Sequence, residues 1–113
     1  MMLQLSENLC IEPHSVVGIE TIQGPGSAEY KKAYFEKEDF SSFCHNVVLF
    51  SKGSKKHLLK SFNYASEDKN GEKELIWDPG MFEKNYDQKL KEAQEYLKEM
   101  YNKIEKAKNN VTN

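Results

Sequence analysis

From Tyr86 to Val111 the apolar residues fall at Tyr86, Leu90, Ala93, Leu97, Met100, Ile104, Ala107 and Val111, with gaps that alternate four and three. A helix places residues at that spacing on one face, so the run predicts a long amphipathic helix. Its start is equally marked. Asp78 suits an N-cap, and Pro79 suits the first helical position, where a missing N–H costs nothing. Trp77 and Phe82 occupy the positions of a hydrophobic staple. Gly80 weakens the first turn by about 1 kcal/mol relative to Ala. Lys103, Lys106 and Lys108 lie near the end where the helix dipole favours cations. Asp87 with Lys91, and Glu99 with Lys103, are spaced for i,i+4 pairing. The predicted helix occupies 78–109, with a frayed tail at 110–113.

Such a helix is about 45 Å long at 1.5 Å per residue, whereas a strand of six residues spans about 20 Å. The sheet is therefore expected to cover only the first half, with Phe82, Tyr86, Leu90, Ala93 and Leu97. The second half is expected to project and to need a partner. Its candidate contact residues are Leu97, Met100, Tyr101, Ile104, Ala107 and Val111. Taking Leu90 as heptad position a puts Leu97, Ile104 and Val111 at a, and Tyr86, Ala93, Met100 and Ala107 at d, a coiled-coil-like seam. An ordinary sheet-packing stripe explains the same pattern, because three heptads separate periods of 3.5 and 3.6 by only ~60°. Tyr96 and Tyr101 widen the stripe as that alternative requires.

Residues 1–77 read as β-rich. Asn8–Gln23 gives a short strand, a turn at Glu12-Pro13-His14-Ser15 and a second strand; Pro13 presets the turn. Gly24-Pro25-Gly26-Ser27 interrupts regular structure. Residues 29–37 suggest a strand with a polar face. Phe43–Phe50 is the most apolar segment and the best central strand. After the turn at 51–56, Leu58, Lys60, Phe62 and Tyr64 alternate onto one face. Asp68-Lys69-Asn70-Gly71 closes a hairpin, and Glu72–Trp77 pairs back. The expected fold is α+β: one domain spanning 1–113, an antiparallel meander of about five strands followed by one long C-terminal helix.

Leu, Ile, Val and Phe make up about a fifth of the 113 residues, near the lower limit for a folded chain, and the six Tyr and one Trp add large apolar area. The formal charge of −2 offers no steering toward nucleic acid. Every basic residue other than histidine is Lys, so bidentate arginine clamps are absent. That usage, with nine Asn, points to an AT-rich genome. The N-terminal Met1–Leu5 lacks the pattern of a signal peptide, and no run reaches the ~20 apolar residues of a membrane span. A cytoplasmic setting with Cys10 and Cys44 as free thiols is expected. From Met81 to Val111 seven Lys stand against six Asp or Glu, too balanced for a membrane-surface helix.

Chemistry is sparse. Cys10, His14, Cys44 and His45 are zinc-ligand types, but Cys44 and His45 are adjacent on a strand and point to opposite faces. The same geometry argues against a Cys44–His45 nucleophile and base. No metal, cofactor or catalytic residue is expected. Lys52, Ser54, Lys55, Lys56 and His57 cluster in one loop and form a candidate anion-binding site, without the second glycine or following helix of a P-loop. A solvated hairpin turn is the alternative. Tyr30, Tyr34, Phe35, Phe40, Phe43 and Phe50 supply either core or a pocket lining. The expected function is a non-enzymatic protein–protein interaction, of the inhibitor or adaptor kind found in phages and mobile elements, through self-association (a homodimer or higher homo-oligomer) or a host partner on the C-terminal helix. The alternative is a small-ligand, nucleotide or nucleic-acid binding module built on the 52–57 loop.

Overall fold

A computed structural model of the chain describes residues 2–23 and 43–111. Strands β1 (Leu3–Ser6) and β2 (Leu9–Ile11) form a short antiparallel hairpin. A 3-10 turn at Pro13–Ser15 follows, closed by Ser15 N–H donating to the Glu12 carbonyl at 3.0 Å. Strand β3 (Val16–Gln23) then pairs with β4 (Cys44–Ser51), and β4 with β5 (Lys55–Asn63), in a three-stranded antiparallel meander with β4 in the centre. Strands β6 (Ser66–Lys69) and β7 (Glu72–Leu75) make a second hairpin. One helix, α1 (Pro79–Val111), ends the described chain. The α+β class and the antiparallel sheet followed by a long helix are as the sequence implies. The predicted strand at 29–37, with Tyr30, Tyr34, Phe35 and Phe40, lies outside the described residues.

Local chemistry accounts for these boundaries. Asp78 Oδ1 accepts from Gly80 N–H at 2.9 Å, and Phe82 N–H donates to the Asp78 carbonyl at 2.9 Å, so the cap and first turn form where the Asp-Pro pair places them. Phe82 is buried in a cluster with Phe43, Tyr64, Ala65 and Ile76, while Trp77 stays half exposed. Ile76 thus sits beside Phe82 in the cluster. The β6–β7 turn takes Asn70 and Gly71 at φ 55° and 82°, the left-handed pair of a tight hairpin. Lys69 there reaches Glu67 at 3.2 Å and Glu74 at 3.8 Å. A hydrogen bond and the charge of Glu67 raise the pKa of the exposed Lys69, with Glu74 adding to the effect.

From His45 onward strand β4 alternates in burial. His45, Val47, Leu49 and Ser51 are buried on the face toward α1. Strand β5 alternates in burial only from Lys56 to Lys60, and within that stretch its register slips, Val47 opposing Lys60 and Val48 opposing Leu58. The extra residue, Leu59, packs toward the core, and Leu58 turns outward, 62 % exposed. The sequence grouping of Leu58 with Lys60 and Phe62 is corrected by that bulge. A second slip in β3 puts Val17 outside the ladder, 70 % exposed.

The largest correction concerns reach. Met100 is 3 % exposed and Ile104 1 %, and both belong to a cluster with Leu5, Ile11 and Leu49. Ala107 is also buried. The second half of α1 does not project bare. The β1–β2 hairpin extends the platform beyond the three-stranded sheet, turning Leu3, Leu5, Leu9 and Ile11 toward the helix. The difference arises because β1, at four residues, is too short for its alternation to stand out in sequence.

Candidate functional site

Burial divides the predicted contact residues of α1. Met100, Ile104 and Ala107 are core. Leu97 is partly buried, and Tyr101 is 50 % exposed. Val111 closes the helix. What remains available is a strip where α1 meets the beginning of β3. There an apolar groove of about 280 Å³ is lined by Val16, Val17, Ile19, Leu97 and Tyr101, with Ile104 at its floor. The β3 bulge makes this groove, since it lifts Val17 out of the ladder beside Tyr101. Glu105 and Lys108 border it and pair with each other at 3.7 Å. Periodicity alone named Leu97, Tyr101 and Ile104. The β3 residues were missed, because a bulge leaves no mark in the pattern VVGIETIQ beyond the glycine at 18.

The predicted lysine loop is only in part a loop: 52–54 make the hairpin turn between β4 and β5, whereas Lys55, Lys56 and His57 are already strand, paired with Ser51, Phe50 and Leu49. Gly53 and Ser54 carry φ of 84° and 58°, and Lys52 N–H donates to the Ser15 carbonyl at 2.9 Å. Lys52, Ser54, Lys55 and Lys56 are exposed, and Lys56 Nζ lies 5.9 Å from the Phe50 ring centre. His57 turns the other way. Its Nε2 is 3.1 Å from Ser51 Oγ on the α1 side of the sheet. The five residues therefore do not converge on one point. Ser51 and His57 have the spacing of a hydroxyl and a base, yet Ser51 is only 6 % exposed, and the pair serves to satisfy a buried hydroxyl.

A polar groove of about 470 Å³ lies between β5, β6 and α1, with Lys60, Phe62, Asn63, Ser66, Asn85 and Lys89 among its walls. Its groups are largely engaged with one another. Lys60 Nζ sits 5.0 Å from the Phe62 ring centre and 5.4 Å from that of Tyr96. Asn85 Nδ2 donates to the Tyr64 carbonyl at 3.0 Å, and Lys89 pairs with Glu92 at 3.2 Å. Burial, helped by the Glu99 charge, raises the pKa of the Tyr96 hydroxyl.

Cys10 is exposed on β2 and Cys44 is buried on β4. Among the described residues no three His, Cys, Asp or Glu side chains gather in a metal-binding group. No described helix is long and apolar enough to cross a membrane. Comparison with protein-family models, with curated proteins and with solved structures finds no match to this chain.

Proposed function

We propose that this chain is a non-enzymatic protein–protein interaction domain of the adaptor or inhibitor kind, binding a second copy of itself or another protein through the groove between α1 and β3. The observation that supports it is the pairing of Val17, 70 % exposed, with Tyr101, 50 % exposed, across an apolar cleft. Val17 stands outside the strand ladder, and Tyr101 flanks the buried seam. Leaving two large apolar side chains in water on either side of a cleft forgoes burial that a partner supplies. A tyrosine beside a partly buried leucine is also the composition of interface hot spots.

Val17→Asp and Tyr101→Glu test the reading, because neither residue belongs to the core. Both variants are expected to melt within a few degrees of the parent. In light scattering they are expected to lose any dimer the parent shows, and in affinity purification any specific companion. A parent that is monomeric at high concentration and brings down no companion overturns the proposal. So does a partner retained at full affinity by both variants.

A further inference from the structure

His45 is the one ionisable side chain on the α1-facing side of β4, among Val47, Leu49 and Ser51, and its ring is wholly shielded from solvent. The Tyr64 and Tyr86 rings lie 4.7 and 4.5 Å away, centre to centre. Nε2 is 3.1 Å from the Tyr86 carbonyl oxygen of α1. A carbonyl only accepts, so Nε2 carries a hydrogen, and with no acceptor beside Nδ1 the neutral ring is the form this setting favours. Nδ1 is then a lone pair, buried and without a hydrogen-bond partner among the described residues. A second proton has no other atom to join. On Nδ1 it makes a buried cation whose new N–H meets no acceptor, a costly arrangement that solvent exposure relieves.

We propose that His45 is an acid-sensitive latch: a proton on Nδ1 releases the first half of α1 from the sheet and opens the aromatic cluster beneath it. Among the described residues the titratable groups around the ring are few. Tyr86 and Asp87 face it from α1, and Tyr64 from the link between β5 and β6. Its strand neighbours, Phe62 on β5 and Gln23 on β3, carry no charge. Asp87 favours the cation, but it is exposed and its field is screened by water. Burial is the largest influence and holds the pKa of His45 below its ordinary 6.5, against the Tyr86 carbonyl and Asp87. The released state thus binds the proton more readily than the docked one. Docking is complete above pH 6.5 and is lost as pH falls from there through the depressed value. The latch grips β4 beside the first half of α1, apart from the Val17–Tyr101 groove, and does not depend on what that groove binds.

Amide hydrogen exchange on the full chain between pH 7.5 and 5, corrected for intrinsic rates, tests this. The opening equilibrium of Phe82–Leu90 is expected to rise by up to about tenfold per pH unit below 6.5, the slope of one proton. Met100–Ala107 should respond less. His45→Gln keeps an N–H able to reach the Tyr86 carbonyl but does not titrate, and its profile should be flat. Equal slopes in parent and variant overturn the latch, as does a parent that stays flat to pH 5. Should the variant fail to fold, the ring resonances of His45 in the parent decide. Titration at an ordinary histidine value with the 82–90 amides unmoved overturns it, and joint movement supports it.

Discussion

Tyr101 and Ile104 stand three residues apart on α1, one half exposed and the other 1 % exposed. A hydrophobic seam therefore mixes two kinds of residue that sequence spacing cannot separate. Ile104→Ala leaves a hole between Leu5, Ile11, Leu49 and Met100, and is expected to cost about 3 kcal/mol. In a domain of this size that lowers the melting temperature by more than about 10 °C. Tyr101→Ala removes no core contact and should cost less than about 1 kcal/mol. Thermal unfolding of the two variants side by side measures the division. Asp78→Ala offers a third reference, since losing the cap to Gly80 N–H is expected to cost about 1 kcal/mol, visible as a modest fall in the denaturant midpoint.

Among elements, α1 and the hairpin at 66–75 were legible because their signals are local. Asp78-Pro79 starts a helix by sterics and hydrogen bonding within four residues, and Asn70-Gly71 closes a turn through its own φ angles. The central strand β4 was legible from its apolar run. What escaped were features set by other strands: the bulges at Val17 and Leu59, which only the register with β4 reveals, and strand β1. Leu3 and Leu5 alternate with Gln4 and Ser6, but four residues are too few for periodicity to carry weight. The ion pairs of α1 were also misplaced. Lys89–Glu92 and Glu105–Lys108 form at i,i+3, whereas the pairs anticipated at Asp87–Lys91 and Glu99–Lys103 do not. Missing β1 turned a covered helix into an apparently bare one, and that error can be measured. Cutting the chain after Glu99 removes Met100, Ile104 and Ala107, each larger side chain worth about 2 kcal/mol of burial. The truncated protein is expected to lose amide protection at Leu5 and Ile11 and to melt more than about 10 °C lower. A helix whose far half served only a partner would leave both unchanged.

For the whole molecule, the question is whether association runs through apolar area or through charge, and the formal charge of −2 leaves both open. The groove beside Tyr101 presents Val16, Val17, Ile19 and Leu97, with its two bordering charges, Glu105 and Lys108, neutralising each other. The 52–57 segment presents exposed Lys52, Lys55 and Lys56, whose attraction for anions is screened over about 10 Å at 0.1 M salt and about 3 Å at 1 M. The two surfaces therefore predict opposite salt responses. Binding through the groove is expected to change by less than about threefold between 50 and 500 mM sodium chloride, and to strengthen in sodium sulfate, which favours burial of apolar surface. Binding of a polyanion through the lysine turn should weaken by tenfold or more over the same range. Titration of the recovered partner, or sedimentation of the chain alone if it self-associates, measures that slope. Lys52→Ala, Lys55→Ala and Lys56→Ala combined should leave it unmoved where the groove is the contact, because those side chains lie on the β4–β5 turn and the first residues of β5, not among the residues that line the cleft.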